Sequence, residues 1–465
     1  MKVRYYLFMA VAFLPLQSMG QEKPADKVKP EKPQKVTVTP YGFIRNYLNF
    51  DSRRTITSCG GEYLMIPYDE DWNITPEEEA ALIGNGVTAP EGTDLRFDRN
   101  AVPQAHLLAL SSRFGLNLNG PGIWVWQSSN GKLEADFAGF GTNNTVLRLR
   151  LAYLQLTRGG RYGQSLTIGQ NWHPLSFIPD VLGMAAGAPF RAHSRTPQVS
   201  YSISTPKAFR FTVSALWQYQ YTSPGPDGES AKYANDAILP ELFFGMAYDS
   251  EHWRAQIGVD YNRLTVSQLY TVPYTMPGVS GPVSMSTDVR FRGDCHSFSP
   301  MAAIQFMQGK FDLKMYTVLA QNLGHLTIPG SGYAFVADGS SFQYQPLTAS
   351  VSYLNMSYGR RWRANLFLGY HKNLGLADGQ LMTDATTGKP VADFVYTKKG
   401  VNNINSIYRI APSVSFNTKA FNIGLEYEWT AVTYGDLQPD GTVANNANLR
   451  QVPNHRICAL VKYNF

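Results

Sequence analysis

Residues 104–172 decide the fold. They read as four amphipathic segments in a row, and the third, Thr145-Val146-Leu147-Arg148-Leu149-Arg150-Leu151-Ala152-Tyr153, alternates residue by residue. Strand side chains change face with period two, so Val146, Arg148, Arg150 and Ala152 share one side and Leu147, Leu149, Leu151 and Tyr153 the other. A leucine and tyrosine face backed by an arginine face suits a wall with hydrocarbon on one side and water on the other.

Working outward, the same rhythm gives about sixteen strands between residues 36 and 465. Among them are 36–54, 129–140, 145–158, 163–172, 208–221, 253–266, 286–307 and 453–465. Many have the ~10 residues that a tilted membrane strand needs. Tight turns such as Gly159-Gly160-Arg161-Tyr162, Thr205-Pro206-Lys207 and Gly359-Arg360 alternate with long connections at 55–103, 173–195, 222–239, 267–285, 323–346, 373–404 and 435–452. Short turns on one rim and long loops on the other predict an all-β, antiparallel transmembrane β-barrel with periplasmic turns and external loops. Closure follows from physics: in hydrocarbon every backbone N–H and C=O needs an internal partner, and an open sheet leaves two edges bare. The last strand carries Ile457, Ala459, Val461, Tyr463 and Phe465 on one parity, and its terminal Phe resembles the sorting signal of bacterial outer-membrane barrels.

Composition agrees. Aromatic residues make up 13% and charged residues only 16%, and the mean hydropathy of -0.23 fits strands that are half polar. Lys2 and Arg4, an apolar run from Tyr5 to Leu16, and Ser18-Met19-Gly20 read as a secretory signal over 1–20. Residues 21–35 form a Pro/Lys-rich periplasmic tether, and the barrel occupies 36–465. A net charge of +6, two of it in the leader, is too mild to point to nucleic acid. The three cysteines, Cys59, Cys295 and Cys458, give neither a disulfide framework nor metal-ligand spacing. No hydrolase, zinc or phosphate-loop motif stands in a fitting context, so no catalytic residue, cofactor or metal is expected. The acidic run Asp69–Ala80 reads first as a solvated loop.

If the apolar parity meets lipid, the lumen inherits the basic one. The expected pore-lining and anion-binding set is Arg45, Arg113, Arg148, Arg150, Arg191, Arg195, Arg210, Arg290 and Arg292, with Glu134 and Asp136 as an acidic stretch of the wall. Pairing across the 141–144 connection is expected to put Asp136 near Arg150, first of all as a bracing ion pair. The connection 173–195 is too apolar for a surface ornament. Folded into the lumen, it would bury Phe177, Ile178, Val181 and Leu182 and bring Arg191, His193 and Arg195 to a constriction.

Ser112-Arg113-Phe114-Gly115-Leu116, Glu134-Ala135-Asp136-Phe137, Arg148–Tyr153, Gly169-Gln170-Asn171-Trp172, and Arg195 with Pro197-Gln198 and Tyr201 resemble the DcaP-like outer-membrane porins. The resemblance covers roughly residues 104–204. It implies a trimer of sixteen-stranded barrels taking up small anions such as dicarboxylates, with the 141–144 connection at the threefold contact. It also implies that Arg113, Arg148, Arg150 and Arg195 bind the anion. The Pro/Lys tether stands where some members carry a coiled coil.

The expectation is an exported bacterial outer-membrane porin giving passive diffusion of small anionic solutes. Its expected partners are membrane lipid, lipopolysaccharide and two further copies of the chain. The long connections 55–103 and 373–404 motivate an alternative, a surface adhesin on a barrel base.

Overall fold

The computed structural model describes residues 35–58, 63–139, 146–183, 187–278, 281–338, 341–384, 386–444 and 448–465. The expected leader and tether, apart from Lys35, lie outside them, as do Cys59 and the 141–144 connection. Sixteen antiparallel strands close into a barrel. They are β1 (Thr37–Asp51), β2 in two pieces (Gln104–Leu108 and Arg113–Pro121), β3 (Ser128–Asp136), β4 (Arg148–Arg158), β5 (Gly163–Trp172), β6 (Arg195–Ser204), β7 (Phe209–Leu216) and β8 (Glu241–Asp249). There follow β9 (Trp253–Gly278), β10 (Gly281–Gln308), β11 (Phe311–Gln321), β12 (Ser341–Gly359), β13 (Trp362–Leu376), β14 (Ile404–Asn417), β15 (Phe421–Tyr434) and β16 (Arg450–Asn464). Closure runs along β1 and β16, from Phe43 opposite Asn464 to Asp51 opposite Arg456. Gly42 and Phe465 exchange both backbone hydrogen bonds at the seam.

Two belts of aromatic pairs mark the lipid band. Near the short turns stand Phe209–Tyr248, Trp253–Phe306, Trp362–Phe416 and Phe421–Tyr463. Farther up stand Tyr261–Phe298, Tyr370–Tyr408 and Tyr427–His455. Trp253 and Tyr261 are eight residues apart along β9, which at strand rise and barrel tilt is roughly 20 Å, close to the apolar height such barrels show. Amphipathic rings favour the level where apolar and polar solvent meet.

Three expectations need correction. First, the alternation through 145–153 breaks at a β-bulge. Glu134 faces Leu151 while Ala135 faces Leu149, so Arg150 is the extra residue. Beyond it the parity flips, and Leu151 is buried while Leu154 is exposed. The Gln170 amide donates to the carbonyls of Leu149 and Arg150, which the bulge frees.

Second, 267–285 is no loop: β9 and β10 continue as a two-stranded ribbon from Ser267–Arg292 to Gly278–Gly281. Pro273, Pro277 and Pro282 argue against a central strand, but a ribbon has free edges where a missing N–H costs nothing. Third, β7 ends at Leu216 rather than near 221, and the Trp217 N–H makes one last bond to Pro197 O of β6.

Several connections fold inward. One buried apolar cluster joins Ile56 and Ile66 from the hairpin Thr55–Ser58/Tyr63–Pro67, Leu175 and Phe190 from 173–194, and Leu323, Leu326 and Ile328 from the loop after β11. Their partners are inward side chains of the wall, including Tyr316, Val318, Tyr353, Phe367 and Ile407. The acidic run is organised rather than merely solvated. Thr75 and Glu78 close a capping box on helix α1 (Pro76–Gly84), and Asp69 pairs with Arg450.

Candidate functional site

Segment 173–194 leaves β5 and crosses the lumen to the far wall. On the way the Tyr353 hydroxyl donates to Phe177 O at 2.8 Å, and Asp180 N–H donates to Asn355 Oδ1 at 2.7 Å. Asp180 then takes Lys314 at 3.1 Å and Arg363 at 2.7 Å. The N–H groups of Leu182 and Gly183 donate to the two carboxylate oxygens of Glu426 at 2.9 and 3.0 Å. On its return, Phe190 packs against Phe367, their ring centres 5.8 Å apart, and lies over Gly369, where a Cβ would meet its ring at 2.6 Å. These contacts make the segment a constriction, as its apolar sequence predicts. Leu182 is buried and Phe177 and Val181 pack against the core. Ile178 departs from the expectation: it is exposed, its backbone carbonyl taking Lys314 while its side chain points away.

The basic residues fall into four groups. Arg148 makes a two-pronged bond to Asp136, at 2.9 and 2.8 Å. Arg150 bridges Glu134 at 2.9 Å and Asp136 at 2.6 Å. Arg113 reaches Glu134 at 3.3 Å, whose other oxygen accepts the Tyr41 hydroxyl at 2.7 Å. Asp136 therefore stands opposite Arg148 in register and touches Arg150 as well, because the bulge brings both arginines to it. Arg148, Arg150, Asp136 and Glu134 are all buried.

Arg191, His193 and Arg195 form the second group. They sit where the segment rejoins β6, all buried, with Arg195 over the rings of Trp172 and Tyr221 at 5.0 and 5.5 Å. Burial lowers the His193 pKa well below that of free imidazole, and the positive field of Arg191, Arg195, Arg150 and Arg148 lowers it further. Across the lumen, Arg456 and Arg409 share Glu428 at 3.4 and 3.3 Å, and Arg456 also holds Asp51 at 2.8 Å.

The third group, Arg45 and Lys462 with Arg360 and Arg363, borders a cavity, and Arg113 of the first group reaches toward it. Arg45, Arg113 and Lys462 converge on the Phe43 ring at 5.2, 4.9 and 4.2 Å. Arg45 and Lys462 line, with Arg360 and Arg363, a polar cavity of about 410 Å³ beneath Asp180–Leu182. Asp180 is the one carboxylate among its described lining residues, and it is bound to Lys314 and Arg363. Arg360 is a member of this group that the expected set omits; its place beside a tight turn opposite β16 is a matter of three-dimensional registry.

Arg210, Arg290 and Arg292 lie elsewhere. Arg210 is an edge residue near the short-turn rim, 3.3 Å from Asp249. Arg290 and Arg292 share the parity of Phe298 and Ile304, the outward face of β10. Above the lipid the rule of the wall inverts. Phe291 turns inward onto Phe335 and Tyr344, and the arginines face water outside.

No family model matches the sequence, and no curated protein sequence matches it. Solved structures do. The outer-membrane channel DcaP of Acinetobacter baumannii aligns with a TM-score of 0.55 at 16% identity, over 92% of this chain and 97% of that one. An anion-selective porin from Comamonas acidovorans aligns at 0.49 and 12% identity, over 93% and 100%. OmpT of Vibrio cholerae aligns at 0.46 and 12%, over 92% and 99%. The likeness read from residues 104–204 thus extends over the whole barrel, and the chain has the fold of the DcaP channel.

Proposed function

We propose that this chain is an outer-membrane porin through which small anionic solutes diffuse passively. The observation that carries the reading is the polar cavity beneath the constriction. Arg45, Arg360, Arg363 and Lys462 border it, and its single carboxylate is already neutralised. A lumen with low-dielectric walls focuses such a field and concentrates solutes of opposite sign. Phe43, ringed by three cations, adds a flat apolar face next to the charge, which suits a carboxylate borne on a compact organic body. In a planar bilayer under a salt gradient, the purified protein is expected to give a reversal potential on the anion side. A clear cation preference overturns the reading.

The assembly we infer is a homotrimer. β3 and β4, on either side of the 141–144 connection, are short strands of 9 and 11 residues, against 26 and 28 for β9 and β10. Exposed Phe137, Val146 and Leu147 crown that stretch. Irregular backbone facing hydrocarbon is tolerated only under cover of protein, and a neighbouring copy supplies the cover. A single-barrel mass in mild detergent, unchanged by Leu147→Arg, counts against it.

A further inference from the structure

Four side chains that no sequence pattern links meet behind the constriction: His173 at the start of the crossing segment, Glu241 at the start of β8, Asp260 on β9, and His325 from the loop after β11. All four are buried. Glu241 lies 2.9 Å from His173 Nε2 and 3.2 Å from His325 Nε2. Asp260 lies 3.9 Å from His173 Nε2. His173, Glu241 and Asp260 each aim one donor atom into a space where all three lie within 4.8 Å of one another.

The charge balance here is unlike that of the other lumen carboxylates. Glu134, Asp136, Asp51 and Glu428 meet guanidinium groups, and Glu426 takes two backbone N–H groups. Glu241 meets only imidazoles, and neither oxygen of Asp260 accepts a hydrogen bond. Among the described residues no lysine or arginine forms an ion pair with either. Two adjacent carboxylates buried without a cation are costly unless something positive lies between them.

We propose that His173, Glu241, Asp260 and His325 form a binding site for a divalent transition-metal ion of the zinc class. Two imidazoles and two carboxylates are a borderline-soft nitrogen and oxygen set that suits such an ion, and their combined charge matches its own. Ligand atoms about 2.0–2.1 Å from a tetrahedral ion stand roughly 3.3 Å apart; the three contacts above run from 2.9 to 3.9 Å, and His173, Glu241 and Asp260 form the preassembled part of the site, which His325, now in contact with Glu241, completes by a shift of its ring. His173 Nδ1 accepts the Leu175 N–H at 3.2 Å, so the ring's proton sits on Nε2, toward Glu241. Coordination through Nε2 moves that proton to Nδ1, and the Leu175 N–H loses its acceptor. The ion ties the first residue of the constriction to two wall strands and a second inward loop, at the expense of one backbone hydrogen bond.

The test uses the whole protein in detergent, stripped with a chelator and dialysed. Cobalt(II) is expected to give the visible absorption of a tetrahedral complex, saturating at one ion per chain, and zinc(II) to displace it. Exchange of the Leu175 amide hydrogen is expected to speed up on loading. Asp260→Asn and His325→Ala, each checked for folding by heat-modifiable gel mobility, should weaken uptake by more than about tenfold, as loss of a direct ligand exceeds loss of its supporting shell. Absence of saturable cobalt or zinc binding by the wild type overturns the site in favour of a proton shared by the two carboxylates. Unchanged binding in both folded variants overturns it in favour of another location.

Discussion

The carboxylate of Glu426 holds Gly183. The wall residue accepts the Gly183 N–H at 3.0 Å, and its other oxygen takes the Leu182 N–H at 2.9 Å. Two backbone donors of a segment crossing the lumen are thus satisfied by one side chain of the opposite wall. Glu426→Ala leaves both in an enclosed space without acceptors, a loss of about 1–3 kcal/mol for each group that stays buried. The segment is expected to detach locally while the barrel remains closed. Single-channel recordings should show larger and noisier openings, with Glu426→Gln in between because one oxygen remains. Traces indistinguishable from wild type would mean that the remaining contacts hold the segment alone.

Phe190 is the apolar anchor. It is fully buried against Phe367, and Arg409 lies 5.3 Å from its ring centre. Phe190→Ala removes a buried aromatic side chain at a cost of about 3–5 kcal/mol, concentrated in the segment because the wall strands keep their hydrogen bonds. The close approach demands a residue without Cβ at 369, where the methyl of an alanine would stand 2.6 Å from the ring. Both Phe190→Ala and Gly369→Val are expected to raise proteolytic cleavage within 173–194 in purified protein, without loss of the folded band on a gel. Equal resistance to protease in all three proteins would contradict the anchor.

The barrel and the inward segment are legible in the sequence because both rest on local signals: alternation, turn spacing, and an apolar stretch too long for an exposed loop. What the sequence hides is registry. The bulge at Arg150 is invisible to counting because the flipped face still reads as leucine, tyrosine and glutamine in turn. Arg290 and Arg292 mislead for a different reason. Polar means inward only while lipid lies outside, and the sequence does not mark the height at which the ribbon leaves the membrane. The inward turn of the 55–67 hairpin and the capping box at Thr75 each carry a signal, alternating Ile56 and Ile66 and Thr-Pro-Glu-Glu, which the length of that connection obscures. His173, Glu241, Asp260 and His325 offer none, since four separate elements bring them together.

His193 is expected to make the constriction sensitive to acid. The ring sits edge-on to Trp172 and Tyr221, and its Nδ1 accepts from Arg191 at 2.9 Å. Burial and four nearby arginines hold its pKa well below the ordinary value. The unfolded ring takes up a proton near pH 6.5 and the folded one does not, so its contribution to stability is present above that pH and is lost as pH falls. Amide exchange in 187–194 is expected to accelerate from pH 7 to pH 5 beyond the intrinsic chemical trend. His193→Gln should flatten that excess. An excess that persists in the variant would place the titrating group elsewhere.

The arginines divide into those buried in ion pairs of the wall and those that border the cavity, and the two sets are expected to play different parts. Arg148 and Arg150 are nearly inaccessible and bonded to Asp136 and Glu134. Arg148→Ala strips Asp136 of its two-pronged partner inside the wall, and breaking a buried pair costs about 3–5 kcal/mol. Its expected signature is a poor yield of folded barrel. Arg45 and Lys462 border the open cavity, and no carboxylate lies within ion-pair distance of either among the described residues. Arg45→Ala with Lys462→Ala should fold normally and shift the anion-to-cation permeability ratio toward cations by roughly twofold or more, since field focusing scales with the charge removed. Reversal potentials on the two proteins separate the roles. A well-folded Arg148→Ala barrel with altered selectivity, beside a double variant with wild-type selectivity, would move the solute path from the cavity to the Arg148–Asp136 wall.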